Sequence, residues 1–181
     1  NAPCFIYNCT DTGDVKSAMT FAHKHGIRVV VRAGGNSFAG YSTCNGNCMV
    51  IDVSGLKTTV GPETRETMIA TVGAGMTNGE LYKALQRHEL AAVSGTCNPV
   101  GFAGLSLGGG FGVMMRKHGL AADNIVGIDV VLSNGTVVTA NSSAHQDLFW
   151  AMRGGGNGNF GIATSFDVRV YDTTDQQWHI M

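Results

Sequence analysis

The strongest constraint on the fold is a glycine-rich stretch of nineteen residues, Ser94 to Gly112, in which six glycines follow a single cysteine, Cys97. Glycine has no side chain to shield its backbone, so such a stretch lets main-chain N–H groups approach a flat or phosphorylated ligand closely. Pro99 removes one donor and fixes the turn after the cysteine. The stretch predicts one wall of a cofactor site, with the thiol directed into it. The simpler alternative is a loop that closes a β-rich core.

Composition and charge exclude several classes of protein. The chain has 181 residues, 44% of them hydrophobic, which is enough for one domain with a core of its own. Only 14% are charged, the formal net charge is -1 and basic residues form no cluster, so nucleic acid and anionic membranes are poor partners. No apolar run approaches the length of a membrane span. The 26 glycines are typical of a compact, loop-rich binding domain.

The five cysteines and three glycosylation sequons favour a secreted protein. Cys44 and Cys48 are four positions apart in a loop of glycine and asparagine, which predicts a local disulfide, and Cys4 with Cys9 forms a second candidate pair. This pairing leaves Cys97 free, whereas the alternative is a cytosolic protein with all five thiols reduced. The sequons begin at Asn8, Asn134 and Asn141. We therefore expect an extracellular glycoprotein.

Hydrophobic periodicity predicts helices and strands that do not alternate regularly. Helices are predicted at residues 12–25, 77–88, 114–118 and 144–153, and strands at 27–32, 49–53, 67–72, 90–93, 125–132, 136–139 and 160–171. A capping box of Thr77 and Glu80 opens the second helix, Ser143 with Gln146 is predicted to cap the last, and an Asn-Gly pair predicts a hairpin at 133–135. This mixture indicates the α+β class.

Two more glycine loops adjoin predicted strands or helices. Residues 33–37 read Ala-Gly-Gly-Asn-Ser, and a strand that runs into a double glycine presents a nest of N–H groups suited to pyrophosphate. A β-branched side chain at Gly35 is expected to abolish retention of such a ligand. The third loop covers residues 154–159. No strand leads through Gly-x-Gly-x-x-Gly into a helix, which argues against a nicotinamide-dependent dehydrogenase.

Four blocks of the sequence resemble the PCMH-type FAD-binding domain of the vanillyl-alcohol oxidase superfamily, and in particular its branch of berberine-bridge-enzyme-like and oligosaccharide oxidases. The blocks are RAGGNSFAG at 32–40, GTCNPVG at 95–101 with GGGFG at 108–112, MRKHGLAADN at 115–124, and DLFWAMRGGG at 147–156 with NFG at 159–161. They occur in the family's order, and the resemblance spans roughly residues 5 to 171.

The resemblance implies two packed α+β subdomains with FAD between them. It places Val31, Arg32, Ala33, Gly34, Gly35, Asn36 and Ser37 at the pyrophosphate, Cys97 at the flavin ring, Val100, Gly101, Phe102, Gly104 and Leu105 along the ribityl chain and phosphate, Phe111 in the same glycine wall, and Gly158, Ile162 and Ala163 near the adenine. No catalytic residue and no metal ligand is expected. Residues 1–181 are interpreted as the FAD-binding, N-terminal part of a larger protein whose substrate domain lies elsewhere.

The resemblance also implies a reaction, with one departure from the family's pattern. Members oxidise an alcohol, commonly a carbohydrate, by hydride transfer to the flavin, which dioxygen or another acceptor reoxidises. Many carry a histidine bonded to the flavin where this chain has Asn36, and asparagine cannot form that bond. At most a cysteinyl link through Cys97 is therefore expected. The competing interpretation is an inactive binding or structural module, with or without FAD, in which Cys97 is simply packed.

Overall fold

The computed structural model describes residues 3–61 and 67–174 of the chain. The strands are β1 (Pro3–Asn8), β2 (Arg28–Arg32), β3 (Gly46–Asp52), β4 (Thr59–Val60), β5 (Ile69–Gly73), β6 (Leu90–Ala92), β7 (Ile125–Val131), β8 (Val137–Asn141) and β9 (Ile162–Asp172). The helices are α1 (Thr12–His25), α2 (Asn78–Gln86), α3 (Phe102–Leu107), α4 (Met115–His118) and α5 (Gln146–Met152), with a 3₁₀ turn at Ala122–Asn124. None of the helices within these ranges is long and apolar enough to cross a membrane.

The strands form two sheets of different kind. The first is parallel, with the order β1-β3-β2, and α1 is the crossover that parallel strands require. The second has six strands, with β4-β5-β9-β7-β8 joined antiparallel and β6 paired with β9. Helix α1 contacts strands of both sheets, so the two halves pack as one body. The predicted pair of α+β subdomains is confirmed.

Local capping signals explain where the first two helices begin and end. The Asp11 side chain accepts a hydrogen bond from Asp14 N, and Gly26 ends α1 in the left-handed conformation with φ 61°. The expected capping box of Thr77 and Glu80 opens α2. The predicted bounds of α1 are confirmed, because its sequence carries a cap at each end and an apolar face between them.

Some local structure differs from the predictions, including the short strand β4, which was not predicted. Strand β1 and helix α3 fall in segments for which no strand or helix was predicted. The predicted cap of α5 is wrong: the helix begins at Gln146, and no side chain caps it. Ser143 instead donates its N–H and its hydroxyl to Asn141 Oδ1, each at 2.9 Å. Asparagine side chains bind backbone N–H groups two residues further along the chain, and such bonds compete with helix formation.

One of the two candidate disulfides is present. Cys44 and Cys48 are bonded, as predicted. The pairing of Cys4 with Cys9 is wrong, because both are free and lie near opposite ends of β1. Five residues of extended chain span about 17 Å, well beyond the reach of a disulfide. Burial, reinforced by three nearby aspartates, raises the pKa of the Cys9 thiol to about 12.

The three sequons differ in the freedom of their asparagine side chains. Asn8 at the end of β1 and Asn134 in the β7–β8 turn are exposed. Asn141 is half-buried, and its Oδ1 atom accepts from both N–H and hydroxyl of Ser143 and from Ala144 N. The Asn134 Oδ1 atom likewise accepts from Thr136 N at 2.9 Å, so exposure is what separates Asn141 from the other two sites. Glycosylation therefore stays a prediction, with Asn8 and Asn134 as the more accessible positions.

Candidate functional site

A groove of about 570 Å³ lies between the two sheets. One side is formed by β2 and the loop that follows it, and the other by α3 and the loop at 157–161. The described lining consists of Met19, Val29, Val30, Val31, Ala33, Gly34, Gly35, Asn36, Ser37, Tyr41, Ser42, Val53, Val100, Gly101, Ala103, Gly104, Leu105, Leu107, Ser133, Asn157, Gly158, Asn159, Phe160, Gly161 and Ala163. Sequence-distant segments thus meet along one surface.

Two glycines let the main chains of opposite walls touch. An ideal Cβ atom on Gly34 would lie 2.4 Å from Gly101 N and 2.8 Å from Gly101 Cα. A Cβ atom on Gly101 would in turn lie 2.6 Å from Gly34 N. Because both distances are far below van der Waals contact, neither position accommodates a side chain without moving a backbone. This crossing fixes the floor of the groove between the 33–37 loop and the 95–101 loop.

The 33–37 loop offers free backbone donors to the groove. Within the described ranges, the N–H groups of residues 34–37 make no hydrogen bond to another backbone group. Gly35 has φ +70°, which glycine adopts without cost and which turns successive N–H groups toward one side. The loop is therefore a nest of donors of the kind that binds phosphate oxygens.

Asn36 joins the two loops that meet at this crossing. Its Nδ2 atom donates to the carbonyl oxygen of Gly34 at 2.8 Å and to that of Pro99 at 3.0 Å. The side chain thus links the nest to the segment that carries Cys97 through hydrogen bonds to both. A histidine in the same place could not reproduce this pair of bonds, because only one of its ring nitrogens is a donor in the neutral form.

The segment that carries Cys97 is held by a buried amide on α2. Asn78 is fully buried, its Oδ1 atom accepts from the Ser94 hydroxyl at 2.7 Å, and its Nδ2 atom donates to Cys97 O at 3.1 Å. Its backbone N–H donates to Val100 O at 2.9 Å. The Cys97 side chain itself is exposed and free. Its position is therefore set by main-chain contacts on both sides rather than by packing of the thiol.

Most of the predicted binding residues converge on the groove. The twelve that line it are Val31, Ala33, Gly34, Gly35, Asn36, Ser37, Val100, Gly101, Gly104, Leu105, Gly158 and Ala163. The other five lie elsewhere: Arg32 pairs with Asp52 on the sheet, Phe102 and Ile162 are buried in the core, and Cys97 and Phe111 are exposed beyond the described lining. The assignment of all seventeen to FAD stays a prediction.

Sequence reasoning missed part of the wall. Asn157 closes the groove from the third glycine loop, where its Nδ2 atom donates to Gly104 O at 2.8 Å. Met19 reaches the groove from α1, although its helical spacing indicated only a core position. The Gly-Asn-Gly-Asn repeat at 156–159 was the one available signal for the first of these. No sequence pattern distinguishes Met19 from its buried neighbours on α1.

The groove is uncharged and has both polar and apolar lining residues. None of its described lining residues is Asp, Glu, Lys, Arg or His. A bound phosphate must therefore be stabilised by backbone N–H groups and by the amide and hydroxyl side chains of residues such as Ser37 and Asn157. Valines at one end offer an apolar surface to a flat ring. These properties fit an elongated ligand that combines phosphates with aromatic rings.

Comparison with protein-family models supplies the assignment. Residues 3–141 match the model described as FAD binding domain, which covers well over half of the chain. The chain belongs to this family. FAD is accordingly its cofactor, and the free donors, the absent side chains at the Gly34–Gly101 crossing and the uncharged wall all fit that dinucleotide.

Individual relatives agree in fold and extend beyond this chain. The chain is 40% identical to the FAD-linked oxidoreductase pynB of Aspergillus niger, covering 93% of this chain and 30% of that protein. It is 38% identical to (R)-6-hydroxynicotine oxidase of Paenarthrobacter nicotinovorans, over 94% of this chain and 36% of that protein. The structure of BBE-like 1 from Physcomitrella patens superposes with a TM-score of 0.87 at 38% identity, over 92% of this chain and 36% of that one. The chain thus spans about a third of the length of these relatives.

Proposed function

We propose that the chain is the FAD-binding part of an oxidoreductase that oxidises an alcohol, with a carbohydrate as the substrate class and dioxygen as the electron acceptor. The observation that carries this proposal is the uncharged groove between the two sheets, whose donors are main-chain N–H groups. When bound, FAD supplies the acceptor for a hydride. The residues of this chain bind the cofactor, orient it and exclude water around it.

Each part of the groove has a separate task in this proposal. The nest at 34–37 holds the pyrophosphate, because several N–H groups directed at one anion replace the missing cationic side chains. Asn36 and Asn157 keep the opposing loops at a fixed separation. In this proposal the Cys97 thiol supplies the one covalent attachment to the flavin, because asparagine at position 36 cannot form a second. The Asn78 amide holds the Cys97 backbone in place.

The substrate class rests on relatives with named activities. Phl p 4 is described as a grass pollen allergen with glucose dehydrogenase activity, and its structure superposes with a TM-score of 0.85 at 32% identity. Another relative is named as an oxidase of a hydroxynicotine. The substrates named for these two relatives differ. The glucose dehydrogenase activity of the pollen protein supports a carbohydrate as the substrate class. We expect the substrate pocket to lie in the part of such proteins that this chain does not span.

The electron acceptor is proposed from a valine beside the groove. A Phl p 4 variant with one asparagine changed to histidine is described as a glucose dehydrogenase. A variant in which, in addition, an isoleucine five positions earlier is changed to valine is described as a glucose oxidase. In this chain Val31 stands five positions before Asn36, and both line the groove. This spacing supports dioxygen as the acceptor.

Flavin retention tests the proposal directly. The purified chain is loaded with FAD, its visible absorbance is recorded, and it is then unfolded in acid and separated from small molecules. Flavin that stays with the parent and is released from Cys97→Ser supports the thioether. Complete release from the parent contradicts it, and a chain that binds no FAD at all supports the inactive module. Val31→Ile is expected to slow reoxidation of the photoreduced flavin by air but not by an artificial acceptor.

We also propose secretion. The disulfide between Cys44 and Cys48 supports it, because such bonds persist in oxidising compartments. The intact mass before and after treatment with an N-glycosidase is the test. A mass that does not change in material secreted by a eukaryotic host contradicts glycosylation at Asn8 and Asn134.

A further inference from the structure

The exposed thiol of Cys4 lies beside the small ring that the disulfide closes. Its Sγ atom is 3.1 Å from the carbonyl oxygen of Gly46 and 3.8 Å from Oδ1 of Asn47. Both residues lie between Cys44 and Cys48, whose sequence separation is 4. Three of the five cysteines of the chain are therefore gathered at one end of the parallel sheet.

The strand register places Cys4 opposite a bulge that contains Asn47 and Cys48. Strand β1 pairs with β3 from Phe5↔Met49 onward, and β3 carries one extra residue just before this pair. Cys4 precedes Phe5 as Cys48 precedes Met49, so the two cysteines are neighbours on adjacent strands. Adjacent strands are about 4.8 Å apart, and disulfides bridge Cα atoms at about 4.4–6.8 Å. The backbone geometry thus suits a bond between them.

The two cysteines also share a face of the sheet. Ile6 and Val50 are paired across the same two strands, and each lies two residues beyond its cysteine. Side chains two residues apart on a strand point to the same side. Cys48 and Val50 indeed pack together with Cys44 in one small cluster. Cys4 therefore borders this cluster from the edge strand.

We infer that Cys48 has a second disulfide partner, Cys4, which it reaches by thiol–disulfide exchange. The Cys4 thiolate attacks Sγ of Cys48, a bond between these two sulfurs forms, and the bond from Cys48 to Cys44 breaks. Cys44 leaves as a thiolate and takes up a proton from water, equivalent to the one that Cys4 released. One disulfide and one thiol exist before and after, so no external oxidant or reductant is consumed.

Exchange changes both the closed loop and the groove. It replaces a ring with a sequence separation of 4 by a loop between Cys4 and Cys48 that spans most of the first subdomain. In the chain-entropy model a longer closed loop restricts the unfolded chain more, so the exchanged form should resist unfolding better. It also releases Cys44, which follows the groove-lining residues Tyr41 and Ser42 by three and two positions. The conformation of one wall of the proposed FAD site thus depends on which cysteine is bonded to Cys48.

Burial of the disulfide slows the exchange. Cys48 is fully buried and Cys44 is nearly so, whereas Cys4 is exposed. The loop must open before the thiolate reaches its target, so exchange is slow at neutral pH. It accelerates as the pH rises, because the thiolate is the attacking species.

Timed alkylation of the parent chain tests the inference. The protein is incubated at about pH 8.5, portions are quenched with N-ethylmaleimide, and peptides are mapped without reduction. We expect Cys4 to lose alkylation with time as Cys44 gains it, together with a peptide that links Cys4 to Cys48. In flavin-free protein, exposed Cys97 serves as an internal reference that is alkylated throughout. Cys4 that stays fully alkylated at every time overturns the inference.

Two matched variants keep the test independent of exchange rates. In Cys44→Ser, oxidised glutathione should join Cys4 to Cys48, whereas in Cys48→Ser the pair of Cys4 and Cys44 should form poorly. Glutathione adducts on both cysteines of Cys44→Ser, or a preferred bridge in Cys48→Ser, would refute the assignment. If a variant does not fold, the time course of the parent still decides.

A separate readout tests the link to the groove. FAD affinity of the parent should change during the incubation, while that of Cys4→Ser stays constant. If the linked peptide appears and FAD affinity does not change, the pairing of Cys4 with Cys48 is supported, and the proposed effect of this pairing on the groove is contradicted. A chain that binds no FAD contradicts the proposed function and leaves the mapping result valid.

Discussion

Replacing Gly34 by alanine tests the crossing of the two loops. The added Cβ atom would lie 2.4 Å from Gly101 N, where ordinary contact begins near 3.4 Å. The two main chains must therefore separate by about 1 Å. Because the neighbour is backbone and not the end of a flexible side chain, we expect a cost at the upper end of overpacking, about 3 kcal/mol.

The same displacement should weaken FAD binding. A shift of about 1 Å carries N–H groups of the nest out of the range of about 2.7–3.2 Å in which they bond an oxygen. Each bond to a charged phosphate contributes about 1.5–3 kcal/mol, so the loss of one lowers affinity by about ten- to a hundredfold. Urea unfolding measures the first effect, and titration of the apoprotein by flavin fluorescence measures the second.

Gly35→Ala is the matched control. Gly35 has φ +70°, but a Cβ atom there meets only the Arg32 side chain, at 3.8 Å. The cost is then that of a left-handed alanine alone, about 1–2 kcal/mol, with most FAD affinity retained. If Gly34→Ala were as stable as Gly35→Ala and bound FAD equally well, the contact between Gly34 and Gly101 would not be what shapes the groove.

Three further results are expected. Because no charged side chain lines the described groove, FAD affinity should fall little between low and high salt; a steep salt dependence would show that cations hold the phosphates. Burial alone would raise the pKa of Asp52, but hydrogen bonds from Ser54 and the charge of Arg32 hold this pKa below its ordinary value. The ionised carboxylate therefore stabilises the folded chain above about pH 4, and this stabilisation is lost as the pH falls further. The urea midpoint of Asp52→Asn should not show this loss at acid pH. Asn78→Asp removes the donor to Cys97 O and should lower the yield of acid-stable flavin more than Ser94→Ala, which keeps it, whereas equal yields would contradict a role in placing the thiol.

The sequence predicted the elements whose signals are local. Helix α1 has a capping aspartate, an apolar face and a terminal glycine within one window, so its bounds are correct. Strand β1 gave no such signal, because most of its side chains are exposed and only its backbone pairing with β3 defines it. Helix α3 was hidden by glycines, and it forms because Phe102 packs edge-on against Phe166 of β9, with ring centroids 5.5 Å apart.

The site shows the same division between local and distant causes. Glycine positions marked the loops correctly, but their partners are set by the fold. Nothing in the sequence indicates that Gly34 rather than Gly35 is the crowded position, since the crowding comes from Gly101 on a distant loop. The bond from Asn36 to Pro99 O spans 63 positions. Such contacts depend on how the two sheets pack, which no single segment specifies.

The position of the groove between the two sheets gives the cofactor a part in folding. Val29, Val30 and Val31 of β2 line it and are only half-buried, so an apoprotein exposes apolar surface that the cofactor would cover. A ligand that binds only the folded chain adds stability in proportion to the logarithm of its concentration, about 2.7 kcal/mol at a hundredfold excess over its dissociation constant. Flavin supply during synthesis would then govern how much of the chain escapes proteolysis, independently of any catalytic turnover.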